Sequence, residues 1–215
     1  MFLSRDKPIG RPSWLVARLR RVEIVELTIP GAYSFVPAQH ADDRGVFMEW
    51  YRFEGIAAIE GAPFVVKQAN LSVSARGVLR GIHFAITPPG QAKYVTVVAG
   101  AALDFVVDLR VGSRTFGQWA SVLLDDVDRR AVYLPSGLGH AFVALSESTS
   151  VCYLASEVFA PDRELSVNPL DPEIALDFPD GIDVRVSDRD RHAPMLSELK
   201  ATGVLPVSET QVVSP

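Results

Sequence analysis

Apolar and polar residues alternate in short bursts along this 215-residue chain, and helical periodicity is nearly absent. Residues 65–75, 93–99, 102–110, 118–124, 131–135, 140–145 and 149–156 are runs rich in Val, Ile, Phe, Tyr and Thr, separated by clusters of Gly, Pro, Asp and Ser. Runs of that length and punctuation predict strands, and their spacing predicts an antiparallel sandwich or barrel rather than βαβ units. Residues 102–109 set Ala, Asp, Val and Asp against Leu, Phe, Val and Leu, which predicts a strand with one buried face. Gly100-Ala101 and Asp125-Asp126 read as hairpin turns. One helix is predicted, from about Ala193 to Thr202, ended by Gly203 and followed by Pro206. The proline-rich stretch 161–179 is expected to wrap the outside of the barrel.

Length and composition change this picture little. The chain suits one domain with a sizeable core, here placed at residues 22–207, with a tail at 208–215. Hydrophobic content of 48% and charged content of 22% are those of an ordinary globule, and no run is long enough to span a bilayer. Cys152 has no partner cysteine and sits in an apolar run, so it reads as a small buried hydrophobe. With no secretory leader visible, the expected compartment is the cytoplasm.

Charge is distributed unevenly. Residues 1–21 carry Arg5, Lys7, Arg11, Arg18, Arg20 and Arg21 against Asp6, a net +5, whereas the whole chain is −5. The basic stretch is expected to be a poorly ordered extension ahead of the fold. The remaining −10 argues against nucleic-acid binding, so an anionic ligand needs a local cluster of cations.

Such a cluster lies at residues 80–93, Arg-Gly-Ile-His-Phe-Ala-Ile-Thr-Pro-Pro-Gly-Gln-Ala-Lys, with Arg80, His83 and Lys93 within reach of a single hairpin. In a regular strand Arg80 and His83 would face opposite sides, but Gly81 between them suggests a bulge that turns both into one cavity. Lys93 shares parity with Val95 and Val97, so it projects from an apolar face, which is costly unless the amine is paired or used. A second histidine, His140, follows the turn Pro135-Ser-Gly-Leu-Gly139. Together these residues predict a pocket for an anionic substrate with an acidic C–H bond.

Ordered blocks then carry a family likeness. They are Asp43-Arg-Gly-Val-Phe-Met-Glu49, Gln68-Ala-Asn-Leu-Ser72, Gly77-Val-Leu-Arg-Gly-Ile-His83, Gly90-Gln-Ala-Lys93, Asp108-Leu-Arg-Val-Gly-Ser113, Thr115-Phe-Gly117, Gly137-Leu-Gly-His140 and Ser187-Asp-Arg-Asp190. In these the chain resembles the dTDP-4-dehydrorhamnose 3,5-epimerases and related dTDP-4-keto-6-deoxyhexose epimerases, from near Val22 to about Val207. The resemblance implies a cupin-type jelly roll that acts as a homodimer on a dTDP-4-dehydro-6-deoxyhexose, without cofactor or metal. It implies that His83 is the base, Asp190 its carboxylate partner, Tyr153 the proton donor on the other face, and that Lys93 and His140 surround the reacting ketone. It implies that Arg44, Glu49, Gln68, Asn70, Arg80, Glu164 and Arg189 hold nucleotide or sugar, and that Phe159 stacks on the thymine. Ala85 stands where the family commonly has glutamine, and Asn168-Pro-Leu-Asp-Pro172 replaces a tryptophan-bearing block. Those departures match a branch that includes enzymes inverting only C3 or only C5.

Other readings make different demands. A metal-dependent cupin oxygenase needs a His-x-His pair, yet His83 is followed by Phe84-Ala85. A non-catalytic sugar-nucleotide binding module would lack the base, the acid or the lysine. A ketoisomerase shares barrel and substrate, and its product distinguishes it.

Overall fold

A computed structural model describes residues 22–208. The basic stretch 1–21 and residues 209–215 lie outside the described residues. The chain begins with β1 (Glu23–Glu26), β2 (Tyr33–Val36), β3 (Gln39–Asp42) and β4 (Gly45–Met48), followed by α1 (Phe53–Glu60). Next come β5 (Gln68–Ser74), β6 (Val78–Ala85), β7 (Lys93–Ala99) and β8 (Ala101–Asp108). β9 (Trp119–Asp125), β10 (Ala131–Leu134), β11 (Leu138–Ala144) and β12 (Thr149–Ala155) follow. Short strands β13 (Glu164–Ser166) and β14 (Arg185–Val186) precede α2 (Asp188–Arg191) and α3 (Leu196–Thr202).

These strands form two facing sheets, ordered β1-β2-β10-β7-β12-β5 and β13-β6-β11-β8-β9, while β3 and β4 pair only with each other. Pairing within both sheets is antiparallel except where β14 joins β6. This is a double-sheet jelly roll, as expected.

Alternation along the strands explains three apolar layers. Val95, Val97, Val132, Leu134 and Val151 of the first sheet face Ala102, Val106, Leu124, Leu138 and Phe142 of the second, forming the barrel interior. The second sheet's outer face presents Leu79, Ile82, Phe84, Phe105 and Val143 to Val167, Ile174, Leu176, Leu196 and Leu199. The proline-rich stretch does wrap the barrel. The first sheet's outer face, with Phe35, Tyr94, Tyr133 and Leu154, is covered by Ile56 of α1 and by Phe64. Each such side chain contributes about 1.5–3 kcal/mol on burial.

Several local expectations change. Gly100-Ala101 and Asp125-Asp126 are not hairpin turns, because β7 and β8, like β9 and β10, belong to different sheets. They are crossovers that bond to each other, Gly100 N–H to Asp126 Oδ2 at 2.8 Å and Asp126 N–H to the Gly100 carbonyl at 3.1 Å. β8 is buried on both faces rather than one, with Asp104 1% and Asp108 0% exposed. Asp108 is satisfied by Arg110 Nε at 2.9 Å and by the Ser113 and Thr115 hydroxyls, each at 2.6 Å. Helix α1 carries too weak a sequence signal to predict: it is only eight residues long, contains Gly55, and buries only Gly55 and Ile56. The C-terminal helix starts at Leu196, not Ala193. Asp171 Oδ2 accepts the Leu196 N–H at 2.6 Å and Glu198 accepts the Met195 N–H at 2.8 Å, which fixes that start. Cys152 is half-buried rather than buried, and its surroundings push the thiol pKa up by desolvation.

Candidate active site

The site is built on a bulge. His83 pairs with His140 and Arg80 with Phe142, so Gly81 and Ile82 of β6 lie opposite Ala141 alone on β11. Gly81 takes φ +118°, and a Cβ there would lie 2.5 Å from the His140 carbonyl oxygen, so only glycine fits. Beyond the bulge, Arg80, His83 and Ala85 share the inward face, while Leu79, Ile82 and Phe84 remain in the outer core. The expected re-aiming is present.

The expected single hairpin is not. β6 and β7 lie in opposite sheets, so Lys93 faces His83 from across the barrel instead of from an adjacent strand. Tyr153 lies on β12, next to β7, and the Lys93 ammonium is 6.0 Å from its ring centroid. The sheets therefore place an imidazole on one wall and a phenol with an amine on the other.

His83 Nε2 lies 2.8 Å from Asp190 Oδ1, with 33% of the histidine side chain exposed and 6% of the aspartate. Burial pushes the Asp190 carboxyl up, but the His83 hydrogen bond and charge, the Ser187 hydroxyl and the Gly81 N–H more than reverse this and hold it below the usual value. The aspartate is thus an anion beside the ring. It fixes the tautomer and steadies an imidazolium.

Lys93 is 8% exposed, and among the described residues no carboxylate lies within 4 Å of its amine. Desolvation lowers its pKa, opposed by the charges of Glu164 and Asp104. Burial also raises the Tyr153 pKa, reinforced by Glu164 and opposed by Arg80, so the phenol keeps its proton. It can give that proton up only to a strong base.

His140 is only 7% exposed, and its Nε2 lies 2.7 Å from Asp104 Oδ2. Oδ1 of Asp104 is buried and makes no hydrogen bond with the described residues. Alternation along residues 102–109 does not single out Asp104, which shares its face with Asp108. Its flanking Ala102 and Val106 were the available signal, since both point into the interior.

The remaining residues rim the cavity or stand outside it. Gln68 Nε2 donates to Asn70 Oδ1 at 2.9 Å, and Gln68 Oε1 accepts the Phe159 N–H at 2.7 Å, leaving the Phe159 ring 50% exposed. Arg80 Nε donates to Ser74 Oγ at 3.0 Å, bridging β6 to β5. Glu164 on β13 pairs with Ala85. Arg189 is exposed on α2 beside Asp190. Arg44 pairs with Asp42 within the β3–β4 hairpin, and Glu49 pairs with Arg52. A surface groove runs between Thr87–Pro89, Pro135–Gly137 and Gly203–Ser208 and contains none of the catalytic candidates. Among the described residues no group of three or more His, Cys, Asp or Glu could hold a metal ion.

A buried anion behind an imidazole, a facing phenol and an unpaired ammonium can remove a proton from carbon, hold an oxyanion and return a proton from the other side. Comparison with known proteins agrees. A dTDP-4-dehydrorhamnose 3,5-epimerase from Mycolicibacterium smegmatis is 54% identical over 181 residues, 84% of this chain and 89% of the relative. A dTDP-4-dehydrorhamnose 3-epimerase from Streptomyces niveus is 53% identical over 184 residues, 86% of this chain and 88% of the relative. The crystal structure of NovW, a 4-keto-6-deoxy sugar epimerase of the novobiocin gene cluster of Streptomyces spheroides, superposes with a TM-score of 0.85 at 51% identity, covering 88% of this chain and 94% of that one. The family model described as dTDP-4-dehydrorhamnose 3,5-epimerase matches residues 26–198, and the chain belongs to that family.

Proposed function

We propose that this protein epimerises dTDP-4-dehydro-6-deoxy-D-glucose at C3 and C5, giving dTDP-4-dehydro-L-rhamnose. The observation that carries the reading is the opposition of the His83–Asp190 pair on one sheet to Tyr153 and Lys93 on the other. A 4-keto sugar has acidic hydrogens at C3 and C5, because either carbanion delocalises onto the C4 oxygen. His83 takes the proton from carbon, and the electron pair of that C–H bond moves onto the ketone oxygen as an enolate. The Lys93 ammonium stabilises that oxygen in a dry cavity, where its charge counts for most. Tyr153 delivers its proton to the opposite face, and the enolate electrons re-form the ketone. The proton on His83 and the one missing from Tyr153 then re-equilibrate through solvent. Arg80, Gln68, Asn70, Glu164, Arg189 and Phe159 hold the sugar nucleotide at the rim.

We further propose that the enzyme is a homodimer in the cytoplasm. The β3–β4 hairpin projects Val46 at 47% and Phe47 at 73% exposure, and β5 leaves Leu71 at 66% and Val73 at 61%. Apolar surface of this kind is expected to be covered. Arg44 rides on the same hairpin with its side chain 85% exposed, so its contact with a nucleotide is best supplied at a partner's cavity.

A second reading has specific support: relatives described as 3,5- and as 3-epimerases stand at 54% and 53% identity. Incubation with dTDP-4-dehydro-6-deoxy-D-glucose in D₂O, followed by NMR of the product, separates the two. Inversion with deuterium at both carbons supports the 3,5-epimerase. Deuterium and inversion at C3 alone assign the 3-epimerase, and no exchange at either carbon contradicts both.

A further inference from the structure

Asp190 occupies the third position of α2, a four-residue helix whose own hydrogen bonds give it little rigidity. Its backbone N–H donates to Ser187 Oγ at 3.1 Å, and Ser187, at φ −63° and ψ 154°, is the N-cap. The Ser187 hydroxyl and the Gly81 N–H also lie near enough to the Asp190 carboxylate to help hold its pKa down. The His83 ring bonds the carboxylate directly, Nε2 to Oδ1 at 2.8 Å. So the serine that caps α2 fixes the backbone of the very residue that holds His83.

We propose that Ser187 is a positioning residue for proton abstraction, acting on His83 through Asp190. The proposal rests on the epimerase reading for its chemistry but not for its geometry. Without the hydroxyl, α2 loses its cap, and the backbone that aims the carboxylate at His83 loses its anchor. The His83–Asp190 bond is itself direct, so it loosens rather than breaks. Ser187 is exposed, and water competes for its hydrogen bonds. The effect is therefore that of losing one helix cap, about 10-fold in rate.

The test compares Ser187→Ala and Ser187→Thr, each alone and in an Asp190→Asn background. Deuterium exchange into substrate, affinity for dTDP and the NMR signal of the His83 ring N–H are measured for all. Ser187→Ala is expected to slow exchange about 10-fold with dTDP affinity unchanged within about twofold, and Ser187→Thr to restore the rate. In the Asp190→Asn background Ser187→Ala should add nothing, because its route to His83 is already cut. Unchanged exchange in Ser187→Ala, or the same further loss without Asp190, would overturn the proposal. The His83 ring N–H resonance should move in Ser187→Ala and stay in Ser187→Thr whatever substrate the enzyme takes. An unmoved resonance refutes the positioning role, whereas an inactive wild type with a moved resonance refutes only the assigned reaction.

Discussion

His83 and His140 are cross-strand partners on β6 and β11, yet each bonds a different aspartate, Asp190 at 2.8 Å and Asp104 at 2.7 Å. The first ring is a third exposed and the second nearly sealed. Exposure separates their work. The His83 ring stands open to the cavity and solvent, whereas His140 is sealed into the wall.

His83→Asn should therefore remove proton exchange while leaving the barrel intact. The expected loss is about 10²- to 10⁴-fold in rate, the range for a general base. Isotope exchange measured beside circular dichroism checks it, and near-normal exchange would take His83 out of the base role.

Lys93→Met should separate activity from stability. Turnover should fall about 10²- to 10³-fold with the loss of the oxyanion's cation, while dTDP binding changes little. The melting temperature should rise, because a buried ammonium with no ion pair among the described residues is replaced by an apolar chain of similar length. Kinetics and thermal melts on this variant suffice. Weak dTDP binding with turnover intact at saturation would reassign Lys93 to the diphosphate.

Gly81→Ala should damage fold and site together. The new Cβ meets the His140 carbonyl at 2.5 Å and the Ala141 Cβ at 2.6 Å, and its φ of +118° is closed to alanine. A cost of at least about 1–3 kcal/mol is expected from the backbone strain alone. Chemical denaturation measures it, and wild-type stability would show that the bulge is not required.

Stability should also depend on acid through Asp190. Its folded-state pKa is lowered, so ionisation stabilises the fold above the ordinary aspartate value of about 4. That stabilisation is lost as pH falls through the lower, folded-state value. Asp190→Asn should flatten the acid limb of the stability curve, read by denaturation between about pH 5 and pH 2. An unchanged limb would show that the carboxylate is not held as described.

The barrel was legible because β7, β10 and β12 carry long apolar runs bounded by turn residues. What was not legible is which sheet each strand joins. Gly100-Ala101 has the chemistry of a hairpin, and only the pairing of β7 with β10 and β12 shows it to be a crossover. Asp104 was hidden for the same reason, since alternation reveals a face but not what covers it. The link from His83 to Asp190 spans 107 residues, and no local pattern reports such a contact. There the family likeness carried the assignment. Gly81 is the opposite case: one glycine between Arg80 and His83 predicted the bulge from local chemistry alone.

Tyr153→Phe in D₂O tests the opposed-wall mechanism most directly. The variant keeps the His83–Asp190 pair and Lys93 but lacks the phenolic proton facing them. Substrate recovered after incubation should carry deuterium, introduced and returned on the His83 face, with epimerised product lost. Epimerised product formed at the wild-type rate would contradict the assignment of acid and base to opposite walls of the barrel.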